Sequence, residues 1–167
     1  LDDVIARARS AGVQEMTTIG SDADLDYARA AVELAERESQ IYATVGIHPH
    51  NAADCSEEVF ETLTALAQKK CVVGIGETGL DYHYDLSPRD VQKTVFRRFI
   101  ALARTVDKAL IIHCRNAFDD CIQILDEEGA RELNVIIHCF TGEREHAERL
   151  LEMGCDISIP GIVTFKK

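Results

Sequence analysis

Four short apolar runs of this sequence each end in a residue able to bind a metal. Residues 41–47 lead into His48-Pro49-His50, residues 71–75 into Gly76-Glu77, residues 109–112 into His113-Cys114-Arg115, and residues 135–137 into His138-Cys139. His113 and His138 offer neutral imidazole nitrogens. Glu77 offers an anionic oxygen able to bridge two ions. A mixed nitrogen and oxygen set of this kind suits Zn²⁺, Mn²⁺ or Mg²⁺. Two such ions, roughly 3.5–4 Å apart, clamp a phosphate, activate a water and stabilise the leaving oxygen. A single histidine at a strand end is most often structural. Three histidines and a glutamate at the same end of successive strands indicate a site. His83, in a loop, and His146, on a helix, lack this placement and are read as non-functional. His50 is intermediate, because it lies beyond a proline.

These residues need elements that carry them to one place. Most of the apolar runs at 16–19, 41–47, 71–75, 109–112, 135–137 and 155–159 are rich in Val and Ile, and several do not alternate with polar residues. Strands buried on both faces of a parallel sheet read this way. Helical spacing fills the gaps. Ser56 reads as an N-cap with acids after it, and Ser87-Pro88 reads as a cap followed by proline at the first helical position. Residues 2–11 make a first, partial helix. Alternation of helix and strand implies parallel strands joined by helical crossovers, so the fold class is α/β. A doubly wound sheet and a TIM (β/α)8 barrel both satisfy that pattern. Both assemble sites at the C-terminal ends of their strands, where His48, Glu77, His113 and His138 stand. A full barrel needs eight strands, so a barrel here has about six of its eight. Cys114 and Cys139 directly follow ligand candidates, and strand alternation assigns both to the core.

Composition narrows the function classes. The 167 residues are 46% hydrophobic and 28% charged, with a net charge of −11. A single domain over 1–167 is expected. The negative charge argues against broad adhesion to nucleic acid, but a bound cation reverses the sign locally. No apolar run reaches the length of a membrane span, so no membrane partner is expected. The six cysteines show no CxxC pair. Read as free thiols in a reducing compartment, and with no signal peptide at 1–12, they give a cytoplasmic expectation. The chain opens without Met in what reads as mid-helix, and is expected to be a piece of a longer protein.

The stretches Gly46-Ile47-His48-Pro49-His50, Gly76-Glu77-Thr78-Gly79-Leu80-Asp81-Tyr82, Ile112-His113-Cys114-Arg115 and His138-Cys139-Phe140-Thr141-Gly142 together resemble the TatD family, as does Gly161-Ile162-Val163-Thr164-Phe165-Lys166. The resemblance implies a TIM barrel with a two-metal site that hydrolyses DNA, trimming single strands from a 3′ end. It makes Glu77 the bridging carboxylate, His113 and His138 the histidine ligands of one metal, and His48 a contact to substrate or its phosphate. Arg115 is read as a phosphate contact or a surface salt bridge, and Asp81 as an orienting group or a plain loop carboxylate. Both choices stay open. Two family features are missing: an H-x-H pair on the first strand and an Asp near the eighth. Half of the metal site is therefore expected in this chain. The competing readings are an amidohydrolase-like enzyme acting on an ester, lactone or amide, and a non-catalytic binding module.

Overall fold

A computed structural model describes residues 1–166. Six parallel strands form one sheet: β1 (Met16–Gly20), β2 (Ile41–Val45), β3 (Val72–Asp81), β4 (Ala109–Arg115), β5 (Val135–His138) and β6 (Asp156–Ile157). They lie side by side in sequence order, β1 to β6. A doubly wound sheet reverses its order at a switch point, and this sheet does not. Unreversed order with helical crossovers is the wall of a (β/α) barrel. Among the described residues, β1 and β6 each pair on one side only.

The helices are α1 (Asp2–Ser10), α2 (Leu25–Arg37), α3 (Glu57–Ala67), α4 (Arg89–Val106), α5 (Phe118–Glu127) and α6 (Arg144–Glu152). Their starts follow from capping chemistry. The Asp24 carboxylate accepts the backbone N–H of Asp26, and the Ser56 hydroxyl accepts that of Val59. The longest helix, α4, buries Val95, Phe96, Phe99, Ile100, Leu102 and Ala103. Phe99 is fully buried, with the Phe60 ring edge-on at 5.3 Å. In β4 the burial alternates: Leu110, Ile112 and Cys114 lie in the core, and Ile111, His113 and Arg115 take the other face.

Four expectations need correction. Ser87 does not cap α4, which begins one residue later with Pro88 at the N-cap. The Ser87 hydroxyl instead donates to the His50 carbonyl (2.8 Å) and accepts the Ala53 N–H (3.1 Å). It thereby fastens the histidine-bearing loop. The second strand stops at Val45, short of Ile47. The third runs on past residue 75 to Asp81, so Glu77 lies within β3 rather than after it. The strand survives this because its register shifts between Ile75 and Thr78: three steps on β3 match two on β4. Such a bulge re-aims the side chain it carries, here Glu77. Finally, Cys114 is buried as expected but Cys139 is exposed. Cys139 follows the last residue of β5 and has φ +47°, so strand alternation no longer governs it.

Candidate metal centre

Pairing in the sheet brings the polar strand ends together. His113 of β4 lies level with Gly79 of β3 and with His138 of β5. Backbones run close here. A Cβ at Gly79 would come within 2.1 Å of the His113 carbonyl oxygen, and one at Gly76 within 2.3 Å of that of Ile111. Both glycines also have φ near +140°. The glycines around Glu77 are therefore a packing requirement as well as a conformational one. His48 leaves β2 and begins the 3-10 turn Pro49–Asp54, and its own N–H donates to the Ser21 carbonyl at 2.7 Å.

Three atoms converge: His48 Nε2, His113 Nδ1 and a Glu77 oxygen. Nε2 of His48 is 3.1 Å from Nδ1 of His113, which is 3.2 Å from Oε1 of Glu77. One ligand atom from each of the three residues lies within 4.8 Å of the others. The rest of the hydrogen-bond network assigns the protons. The His50 N–H donates to Nδ1 of His48 (3.3 Å), which places the His48 proton on Nε2. His113 Nε2 is 2.9 Å from the Asp81 carboxylate and donates to it. That leaves the Nδ1 lone pair of His113 facing the Glu77 carboxylate. The His48 Nε2–H donates to that lone pair at 3.1 Å, and a cation seated between Nδ1 and the Glu77 carboxylate, 3.2 Å away, would take the place of this bond. His113 Nδ1 and the Glu77 carboxylate are thus a nitrogen and an oxygen donor of the kind that fits a divalent cation.

The electrostatics agree. Burial would lower His113, but its contacts with Glu77 and Asp81 outweigh that and raise it. Burial would raise Glu77, but the His113 bond and the nearness of His113, His138 and His48 hold it below the usual range. His48 is pushed down to about 4, first by burial and then by His113 and His50, so its ring is neutral near pH 7.

Asp81 is the residue that sequence reasoning left undecided. Its side chain is fully buried. One oxygen takes His50 Nε2 and His113 Nε2, each at 2.9 Å, and the other accepts the N–H groups of His83 and Tyr84, each at 2.9 Å. Burial would raise its pKa, but these bonds bring it down to about 2. A carboxylate behind a ligating histidine fixes ring orientation and tautomer. The available signal was spacing: Asp81 ends the strand that carries Glu77. His50 joins the same network.

His138 is not among the three converging residues. It lies beside His113 on the same face and has no side-chain hydrogen-bond partner among the described residues, so its ring is free to ligate. Arg115 makes no ion pair among the described residues, and its guanidinium lies 4.8 Å over the Tyr84 ring. With His83, His113, His138 and Cys139 it lines a cavity of about 580 Å³.

Comparison with known proteins extends the picture. The family described as TatD related DNase matches residues 1–167. "Uncharacterized metal-dependent hydrolase YabD" of Bacillus subtilis is 44% identical over 166 residues, which are 99% of this chain and 64% of that protein. "3'-5' ssDNA/RNA exonuclease TatD" of Pantoea ananatis is 39% identical, over 97% of this chain and 62% of that one. Among solved structures, the TatD homologue YjjV of Escherichia coli superposes with a TM-score of 0.89 at 28% identity, over 98% of this chain and 63% of its own. The chain thus spans a little under two thirds of the length of these relatives.

Proposed function

The chain belongs to the TatD-related DNase family, and from that premise we propose that it forms the greater part of a metal-dependent hydrolase barrel that cleaves phosphodiester bonds in single-stranded nucleic acid, working inward from the 3′ end. One observation carries the reading. A histidine nitrogen and a glutamate oxygen stand 3.2 Å apart, half-buried at the C-terminal ends of the strands, a donor pair that suits a cation. The names of the exonuclease relatives support the choice of bond and of strand.

In this reading Glu77, His113 and His138 would hold one divalent ion, and Glu77 would also serve a second, as the family resemblance implies. When bound, such ions polarise a phosphoryl oxygen and lower the pKa of a water. The chain's own groups do the rest. Asp81 holds His113 with Nδ1 turned to the site. Neutral His48 directs its Nε2–H into the cluster at His113 Nδ1; with that nitrogen ligated, the N–H would donate to a phosphate oxygen. Arg115, without a carboxylate partner, supplies positive charge on the cavity wall. Free thiols at all six cysteines agree with a reducing, cytoplasmic compartment. No described helix is long and apolar enough to cross a membrane.

Single-stranded DNA labelled at its 5′ end, incubated with the full-length protein and Mg²⁺ or Mn²⁺, should shorten stepwise. EDTA or Glu77→Gln should abolish shortening. Full activity of Glu77→Gln would remove the basis of the assignment. A folded, metal-loaded protein that spares DNA but opens esters or lactones would transfer it to amidohydrolase chemistry.

A further inference from the structure

Beside the cavity lined by Arg115, His113 and His138 lies a second, of about 360 Å³, for which the chemistry above has no use. It falls in the range of small-molecule sites, roughly 300–1,000 Å³. The two cavities share Asn116 and Thr141 as walls. Their charges differ. The cavity beside the metal centre presents Arg115 with His83, His113 and His138, whereas the second presents no Lys or Arg among the described residues and has Asp119, Asp120 and Glu143 around it. Phosphate is favoured in the first and repelled from the second. Two of the acids are already paired: Asp119 with Arg149 at 2.8 Å and Asp120 with Lys93 at 2.6 Å.

The wall of the second cavity is aromatic. His146 and Phe118 stack, with ring centroids 5.0 Å apart and planes at 22°. Phe140 braces Phe118 edge-on at 5.2 Å. Phe118 is only 6% exposed, so His146 is the ring with a face to offer. The helix α6 orients that ring: the Glu143 N–H donates to His146 Nδ1 at 3.1 Å, as half of a capping box. His146 is thus a rigid, half-buried aromatic plate next to the pocket that takes the phosphate.

We propose that this cavity is a nucleobase subsite, in which His146, backed by Phe118, stacks on the base adjoining the scissile phosphate. Every base has a π-face, so such a plate binds without regard to sequence. The proposal rests on the phosphodiesterase reading.

The test uses the full-length, metal-loaded protein and two single strands, identical except for an abasic residue at the cleaved end. His146→Gln keeps an acceptor for the Glu143 N–H but loses the ring, whereas His146→Phe keeps a ring but loses the acceptor. Wild type and His146→Phe should favour the base-bearing strand in kcat/KM by about tenfold or more, the size expected of one stacked base. His146→Gln should cut both strands at the abasic rate. Unchanged discrimination in His146→Gln would overturn the subsite and leave the nuclease reading standing. Discrimination kept by Gln but lost by Phe would also overturn it, by assigning His146 to the helix cap. Cleavage of neither strand would overturn the nuclease reading and the subsite with it.

Discussion

Replacing Asp81 by Asn should weaken metal binding without unfolding the chain. The substitution is isosteric. Its carbonyl oxygen can still accept the N–H groups of His83 and Tyr84, where Oδ1 now accepts both at 2.9 Å. The amide nitrogen then replaces the oxygen that meets His50 Nε2 and His113 Nε2. A donor now faces two ring nitrogens, so Nε2 of His113 must become an acceptor and its proton must move to Nδ1. That is the nitrogen turned to Glu77 and His48, and once protonated it cannot ligate. Loss of a carboxylate behind a ligating histidine typically costs about 10–100-fold in metal affinity, which is roughly 1.4–2.7 kcal/mol at 1.4 kcal/mol per tenfold. Titration calorimetry with Mn²⁺ or Zn²⁺ measures this, with thermal unfolding of the metal-free protein as the fold control. Asp81→Asn binding the ion as tightly as wild type would refute the tautomer argument.

Other consequences divide the roles of the remaining residues. His138→Ala should lose metal occupancy, whereas His48→Ala should keep the metal and lose turnover, because the one is read as a ligand and the other as a donor to substrate. Metal analysis beside single-turnover rates separates the two, and the reverse pattern would exchange their assignments. Gly79→Ala should cost about 3–5 kcal/mol, from strain at positive φ together with a side chain forced against the His113 carbonyl; urea unfolding would show it as a lowered midpoint. A thiol reagent should label Cys139 in the native protein and leave Cys114 and Cys121 unmodified until unfolding, since only the first is exposed; mass spectrometry of tryptic peptides reads the outcome.

The sequence carries the frame of this account in two signals. Apolar runs broken by helical spacing give the alternating order, and polar residues at the ends of four successive runs point to one rim of the sheet. The structure bears out both the strands and their parallel pairing. Boundaries were legible only where local chemistry decides them. Ser56 caps its helix, but Ser87 meets a carbonyl 37 residues away and is drawn off its helix. The bulge that aims Glu77 depends on how closely β3 and β4 approach, and no single run of residues records that distance. Asp81 illustrates the same limit. Its partners His50 and His113 lie 31 and 32 residues away, so nothing next to it in the chain distinguishes it from a solvated loop acid. Strand alternation fails for Cys139 because β5 ends one residue before it, at His138.

The most direct measurement is the position of a bound ion. Crystals of the full-length protein grown with Mn²⁺ should show an anomalous peak bonded to Glu77, to His113 through Nδ1 and to His138, with Asp81 still holding His113 Nε2 and metal–ligand distances of about 2.0–2.2 Å. A peak on other residues, or none in a protein that hydrolyses DNA, would contradict the account.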